Sequence, residues 1–468
     1  METDKLLSRR TGSGSESERH VGYESISEPA NTSGPPASEG GMQRAANNSG
    51  MTSAQKKLLA SLLIVRMLNG SLIAVMIPFF PVEAASRGVS QTVISSLFSV
   101  FAVAKMIMSP FIGRLAPVVG ITRLYNFGIA AAGVSTVIFG TLNYIADTST
   151  FVAACFLVRL VEAAGSAAIA VCGYTIAGSQ FPGKVNRVVA LLGSALTIGL
   201  ALTPAIWGGL FALGGFGTPF YTLGAIMLLM AAVNQRLMPT MEKITSGPQT
   251  SFFKNFRVFI GSTGNWICMA TVLIFSADVS TVSSAIAPYA NDVLGVSPST
   301  LGLYYLVSTT MYAIINFLWG WLAEGMRNRY KMMSPCLLVA SFGILLVAPS
   351  PLLGLEPAWW ITGLGMTIED MFIGGALTPC FKLMLDCSVQ NGLEFGFGTQ
   401  SFVAGVYQMM FSMGIAIGPI SGGIIVDAYG FPWMTTVLAF ATASVGLLIG
   451  IKAISTMLDH KCDRTTNS

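Results

Sequence analysis

Between residues 57 and 455 the chain is a succession of apolar segments: 57–81, 91–113, 123–145, 151–178, 188–212, 218–239, 262–288, 301–323, 332–350, 358–382, 398–424 and 431–455. Each has about the 17–25 residues a helix needs to cross a bilayer's hydrocarbon, or slightly more. Only 10% of the residues are charged, where soluble domains carry about 25%. The chain therefore reads as an all-α, multi-pass membrane protein with twelve transmembrane helices, spans 1–12 in chain order.

The longest gap, 240–261, contains Lys243, Gly247, Pro248, Lys254 and Arg257. It divides the membrane part into two six-helix bundles, 57–239 and 262–455, joined by a linker. Residues 1–56 form a polar tail expected to be disordered, and 456–468 a second tail; the start lacks the apolar core of a signal peptide. The basic residues of the tails, Arg114, Arg123, Lys184, Arg187, the linker, Arg327, Arg329 and Lys331 all fall on one side, while the opposite loops offer only Arg87. This bias predicts that both termini are cytosolic, so the sequons at Asn31 and Asn47 are expected to stay unglycosylated. The net charge of +4 reflects these loops and gives no reason to expect nucleic acid. In the first tail, Glu2-x-x-x-Leu6-Leu7 resembles an acidic dileucine signal of the kind clathrin adaptors read, and Tyr23-Glu-Ser-Ile26 a tyrosine-based one. Together they point to secretory or endolysosomal vesicles.

The two bundles are copies. A shift of 207 residues lays Pro81 on Pro288, Gly88-Val-Ser90 on Gly295-Val-Ser297, Gly113-x-Leu-Ala116 on Gly320-x-Leu-Ala323 and Glu162 on Glu369. A second match, Gly217-x-Pro-Phe220 on Gly430-x-Pro-Trp433, has a shift of 213. Parallel six-helix repeats build one large transporter fold, with its site at mid-membrane between them.

Seven charged residues fall well inside the spans, away from their ends: Arg66, Lys105, Arg159, Glu162, Asp278, Glu369 and Asp370. A charge at that depth costs roughly 2.5–3.5 kcal/mol on insertion scales, so such residues face a bundle interior or a water-filled cavity and are functional candidates. The structural alternative is an ion pair that merely pins helices. Both histidines, His20 and His460, lie in the tails, so proton coupling falls to carboxylates. Arg159 and Glu162, three apart, share one face of span 4. Burial favours a protonated carboxyl and a neighbouring arginine an ionised one, so a pair that breaks and re-forms exchanges a proton. Glu162 is thus the proton-coupling candidate, with Arg159 its partner. Glu369 is the leading cation-binding candidate, and Asp278 a second. Adjacent helical residues point about 100° apart, so Glu369 and Asp370 are not expected to face the cavity together. Lys105 and Arg66 are expected to neutralise carboxylates. Tyr174, Tyr305, Tyr312 and Tyr407 offer cation–π faces, and Glu83 lies at the outer end of span 1. The seven cysteines have neither disulfide nor zinc spacing, and with no nucleophile–base set or phosphate loop in view, no metal, cofactor or enzyme activity is expected.

Three motifs carry a resemblance. Gly113-Arg-Leu-Ala-Pro-Val-Val-Gly120 with Arg123 resembles the loop motif of the major facilitator superfamily, although Pro117 replaces its acidic residue and the second copy keeps it as Glu324. Arg159-x-x-Glu162-Ala-x-Gly165 resembles that superfamily's span 4 motif. Gly414-x-x-x-Gly418-Pro419-x-x-Gly422-Gly423 resembles its antiporter motif, with a worn copy at Gly199-x-x-x-Thr203-Pro204 followed by Gly208-Gly209. Glycines allow close helix packing and proline bends a helix, which suits a rocking seam. Within the superfamily, Pro78-Phe-Phe-Pro81-x-Glu83-Ala84, Cys155-Phe-Leu-Val-Arg159, Tyr312-Ala-Ile314, Gln390-Asn-Gly392 and Gly430-Phe-Pro-Trp433 resemble the vesicular amine transporters, above all their polyamine branch. The resemblance implies proton-coupled antiport of organic cations into acidic vesicles; an organic-cation exporter of the plasma membrane and a non-transporting receptor or scaffold are the other readings. Monoamine members carry aspartates where this chain has Asn69 and Gln408, and a span 2 lysine about one turn from the position of Lys105. Asn69 and Gln408 are accordingly substrate-site positions that argue for polyamines over monoamines.

Overall fold

A computed structural model describes residues 51–238 and 252–466. The sorting motifs at Glu2, Leu6, Leu7 and Tyr23, and much of the 240–261 gap, lie outside the described residues. Among the described residues, twelve helices are long and apolar enough to cross a membrane: α1 (Ser53–Ser86), α2 (Gln91–Val119), α3 (Ile121–Tyr144), α4 (Thr148–Gln180), α5 (Val185–Gly214), α6 (Gly217–Leu237), α7 (Thr263–Asp292), α8 (Thr300–Gly325), α9 (Tyr330–Val347), α10 (Trp359–Gln390), α11 (Phe397–Tyr429) and α12 (Phe431–Met457).

Most helices outrun the apolar segments that announce them, because polar residues cap and extend their ends. Asp147 caps α4, accepting from the Thr150 amide at 2.7 Å and its hydroxyl at 2.6 Å. Those bonds favour the charged form and hold its carboxyl below the usual range. The last helix continues to Thr466, so the segment expected to be a tail from 456 is largely helical. The interhalf gap ends in a short helix, Phe252–Ile260. It exposes Lys254 and Arg257 and buries Phe259, and the Asn391 side chain donates to the Val258 carbonyl at 2.8 Å.

Two helices break at proline. α1 is interrupted at Val75, where Pro78 has no N–H to donate one turn back; α10 breaks at Thr378-Pro379 for the same reason. The repeat survives in backbone detail. Gly88 and Gly295 turn at φ 74° and 64°, a region glycine enters without strain, and the serine two residues on stands at the N-cap position in both halves, its side chain accepting a backbone N–H in the second. The second match does not extend this far: Gly430 has φ 86°, whereas Gly217 already lies in α6.

Close glycine packing joins helices within each half. A Cβ on Gly199 would meet the Met67 carbonyl of α1, and Cβ atoms on Gly414 and Gly418 would meet the Leu273 and Ala277 carbonyls of α7. The antiporter-motif seam therefore lies inside each half, between α5 and α1 and between α11 and α7, instead of between the halves.

The halves meet where α2 crosses α11 and α5 crosses α8. At the first crossing Gly113 abuts Ser401; an added Cβ would stand 2.6 Å from the Ser401 carbonyl. At the second, Asn316 donates to the Ala190 carbonyl at 2.9 Å and accepts from Thr378 Oγ1 at 2.7 Å. Ring contacts of Tyr174 with Tyr407 at 5.0 Å and with Phe381 at 5.5 Å complete the junction. All these contacts lie at mid-depth or toward the end where α1 starts and α12 finishes. Among the described residues, no hydrogen bond or ring contact joins the halves nearer the other end, so the cleft is closed at the terminus-bearing end. Gly113→Leu is expected to prevent this closure, since overpacking costs about 1–3 kcal/mol. A cysteine at Ser401 in this variant should then stay open to an impermeant thiol reagent while the size-exclusion profile stays monodisperse.

Candidate functional site

The buried charges separate by half. In α4, Arg159 Nη1 donates to Glu162 Oε2 at 2.5 Å. Thr136 of α3 donates to the other carboxylate oxygen at 3.2 Å, and the guanidinium lies 4.3 Å from the centre of the Phe101 ring of α2. Both charged residues are at most 2% exposed. The pair sits among α2, α3 and α4, inside its own half.

Its repeat mate has different company. Among the described residues Glu369 has no arginine partner; it approaches the α9 backbone at Gly343, where an added Cβ would lie 2.7 Å from the Glu369 nitrogen. Its carboxyl lies against that of Asp278 on α7. Asp278 is fully buried and Glu369 is 5% exposed, and among the described residues no N–H or hydroxyl group donates to either oxygen of Asp278. Asp370 turns to α8, beside Ser308 and within electrostatic reach of Tyr305 and Tyr312. The two adjacent acids thus point to different helices, as helical geometry requires. Two buried carboxylates side by side repel, and the arrangement is stable only with a proton on one or a cation between them.

Arg66 and Lys105 do not neutralise carboxylates as expected: among the described residues neither forms an ion pair. The physical reason is placement. Glu162 is taken by Arg159, the three free acids belong to the second half, and Asn69 and Gln408 supply amides. Arg66 donates from Nη2 to the Tyr174 hydroxyl at 3.5 Å and lies 5.4 Å from that ring's centre. Lys105 Nζ lies 6.0 Å from the Phe101 ring. Asn69 is buried with both amide atoms unpartnered, and Gln408 donates to Ser412 at 3.2 Å while its carbonyl has no partner. The antiparallel register in which Gly113 meets Ser401 and Gly405 meets Ser109 continues along α2 and α11 to bring Lys105 level with Gln408 and Met409.

The loop-motif copies are unequal. Glu324, at the end of α8, accepts the backbone N–H of Asn186 at 2.8 Å and of Arg187 at 3.4 Å. It thereby caps the start of α5, where free amides and the helix dipole favour a carboxylate. In the first copy Pro117 has no such group, and Arg123 is exposed. Gly422 packs on Thr281, Gly423 faces open space, Pro419 lies within α11, and the side chain of Pro204 is outside the described residues. Glu83 is paired with Arg87 at 2.9 Å. Asn316, which ties α8 to α5 and α10, is a contact the sequence reading missed; its only signal is an amide one turn before Gly320. Glu324→Gln is expected to loosen the closed end by about 1 kcal/mol. A cysteine introduced at Ser401 should then react several-fold faster with an impermeant thiol reagent applied from the terminus-bearing side.

Twelve spans in two repeated halves, with buried charges at mid-depth within each, are the architecture of a membrane transporter. The chain belongs to the major facilitator superfamily, whose family model matches residues 62–392 and 268–456, and within it to the vesicular amine transporter family. The MFS-type transporter SLC18B1 of Rattus norvegicus is 30% identical over 375 residues, covering 80% of this chain and 81% of that relative. The synaptic vesicular amine transporter of Homo sapiens is 26% identical over 355 residues, covering 73% and 63%. Two solved structures share the fold. The human organic anion transporter MFSD10 (TETRAN) superposes with a TM-score of 0.65 at 14% identity, covering 85% of this chain and all of the other. The transporter FucP in its outward conformation gives 0.64 at 15% identity, covering 84% and 98%.

Proposed function

We propose that this transporter exchanges protons for organic cations, polyamines or other amines, loading them into acidic vesicles. The observation that carries the reading is the Asp278–Glu369 carboxyl pair, buried at mid-span with no cationic partner among the described residues. A proton and a substrate ammonium are alternative ways to relieve the same repulsion, so one leaves when the other enters. Competition of that kind yields antiport. Asp370, with the faces of Tyr305 and Tyr312 near it, offers a second contact to an extended polycation.

Basic loops put the terminus-bearing end in the cytosol. On that reading the closed end seen here is cytosolic, and the carboxyl pair belongs to a state that opens to the lumen, takes up a proton and releases cargo. Glu162 and Arg159 then serve as the proton-responsive pair of the first half. The relatives named for vesicular amine transport support both cargo class and vesicle membrane.

The test is uptake of radiolabelled spermidine into proteoliposomes with an acidic interior. Uptake that collapses with an uncoupler is expected. Uptake indifferent to the gradient would overturn proton coupling, and no uptake of spermidine, monoamines, acetylcholine or drug cations would overturn the organic-cation reading.

A further inference from the structure

The buried cations of the first half have chemistry that an ammonium cargo does not use. Arg66 is 4% exposed and Asn69 fully buried. Three residues apart on α1, they share one helix face. Among the described residues the Nε and Nη1 groups of Arg66 and both amide atoms of Asn69 have no hydrogen-bond partner. Lys105, also 4% exposed, lies close enough for the two cations to repel. An uncompensated buried guanidinium is costly, and unmade hydrogen bonds to it add to that cost. The planar fork of an arginine fits a carboxylate, and its N–H donors serve equally for a spherical anion. Tyr312 of α8 lies within electrostatic reach of both Arg66 and Asp370.

We propose that the first half holds a small-anion subsite, formed by Arg66, Asn69 and Lys105, which takes one compact anion: the carboxylate of a bipolar cargo or a free chloride ion. Bound there, the anion accepts the free Arg66 donors and the Asn69 amide and screens Lys105 from Arg66. Where the anion is the cargo's own, the substrate class widens from amines to molecules with an ammonium at one end and a carboxylate at the other. Where it is chloride, the ion lowers the repulsion that a cationic cargo meets on entering.

The experiment measures thermal unfolding of the full-length protein in nanodiscs. Sodium chloride is compared with sodium isethionate at equal ionic strength, and then 6-aminohexanoate with 1,6-diaminohexane in isethionate. A saturable upward shift with chloride identifies the free-ion source. A shift with 6-aminohexanoate that neither chloride nor the diamine produces identifies the cargo carboxylate. In either case Arg66→Gln should abolish the shift while leaving the unfolding midpoint in isethionate unchanged or raised, since it removes an uncompensated charge. Lys105→Met should weaken the apparent affinity about tenfold. Should Arg66→Gln fail to fold, Asn69→Ala gives a second reading through loss of the same shift. Identical midpoints in all salts and probes, or a shift undiminished in these variants, overturns the subsite. The readout is binding, so failure of spermidine uptake would sink the cation-antiport reading and leave the anion response to be judged separately.

Discussion

Glu369→Gln is expected to abolish proton-driven spermidine uptake with little loss of protein. Glutamine keeps the volume and an acceptor but cannot gain or lose a proton or hold an ammonium by charge. Neutralising one of two adjoining carboxyls also removes their mutual repulsion, so stability should hold or rise slightly. The loss of cargo contact is on the scale of a truncated buried charge pair, about 2 kcal/mol or more, which is roughly a 30-fold fall in uptake at limiting substrate. Initial rates in proteoliposomes, normalised to reconstituted protein, measure it; wild-type rates in this variant would remove Glu369 from the mechanism. Asp278→Asn should behave alike, and the double variant should be hardly worse than either single one if the two act as a unit.

The second large effect is expected at Arg159 and Glu162, where stability and transport separate. Arg159→Met leaves the Glu162 carboxylate buried with only Thr136 to serve it. Breaking a buried pair on one side costs about 3–5 kcal/mol, whereas an apolar pair of similar volume is often tolerated. Adding Glu162→Leu to Arg159→Met should therefore restore most of the lost thermal stability and none of the uptake. Glu162→Gln keeps acceptors for Arg159 and Thr136, so folded protein is expected without proton-coupled transport. If the double variant transported, the pair would be a fastener between helices and nothing more.

The span number and the repeat were legible because they rest on local composition and on one constant register. So was the Arg159–Glu162 pair, since three residues on one helix fix the distance whatever surrounds them. The divergence of Glu369 and Asp370 followed from helix geometry alone. What faces Glu369 was not legible: Asp278 lies on another helix, and only the packing of α7 against α10 decides that two acids meet without a basic partner. The same gap misled the reading of Arg66 and Lys105, whose charge balance was inferred from a count of signs. The glycines of the antiporter motif were recognised by spacing, yet spacing does not say which neighbour they touch. Pro78 and Pro379 marked breaks in α1 and α10 that hydropathy runs straight through.

The two crossings that hold the halves together differ in kind. Between α5 and α8 a carboxylate cap and the Asn316 bonds fasten the contact; between α2 and α11, glycines and carbonyls merely touch. A door with one bolted edge and one bare edge swings on the bolted edge. The mouth at the terminus-bearing end should therefore part along α2 and α11 first, with α5 and α8 as the hinge, and cargo should pass Ser109 and Ser401. Spin-label pairs across the two crossings would register it: the distance distribution across α2–α11 should broaden in the opening state well before that across α5–α8.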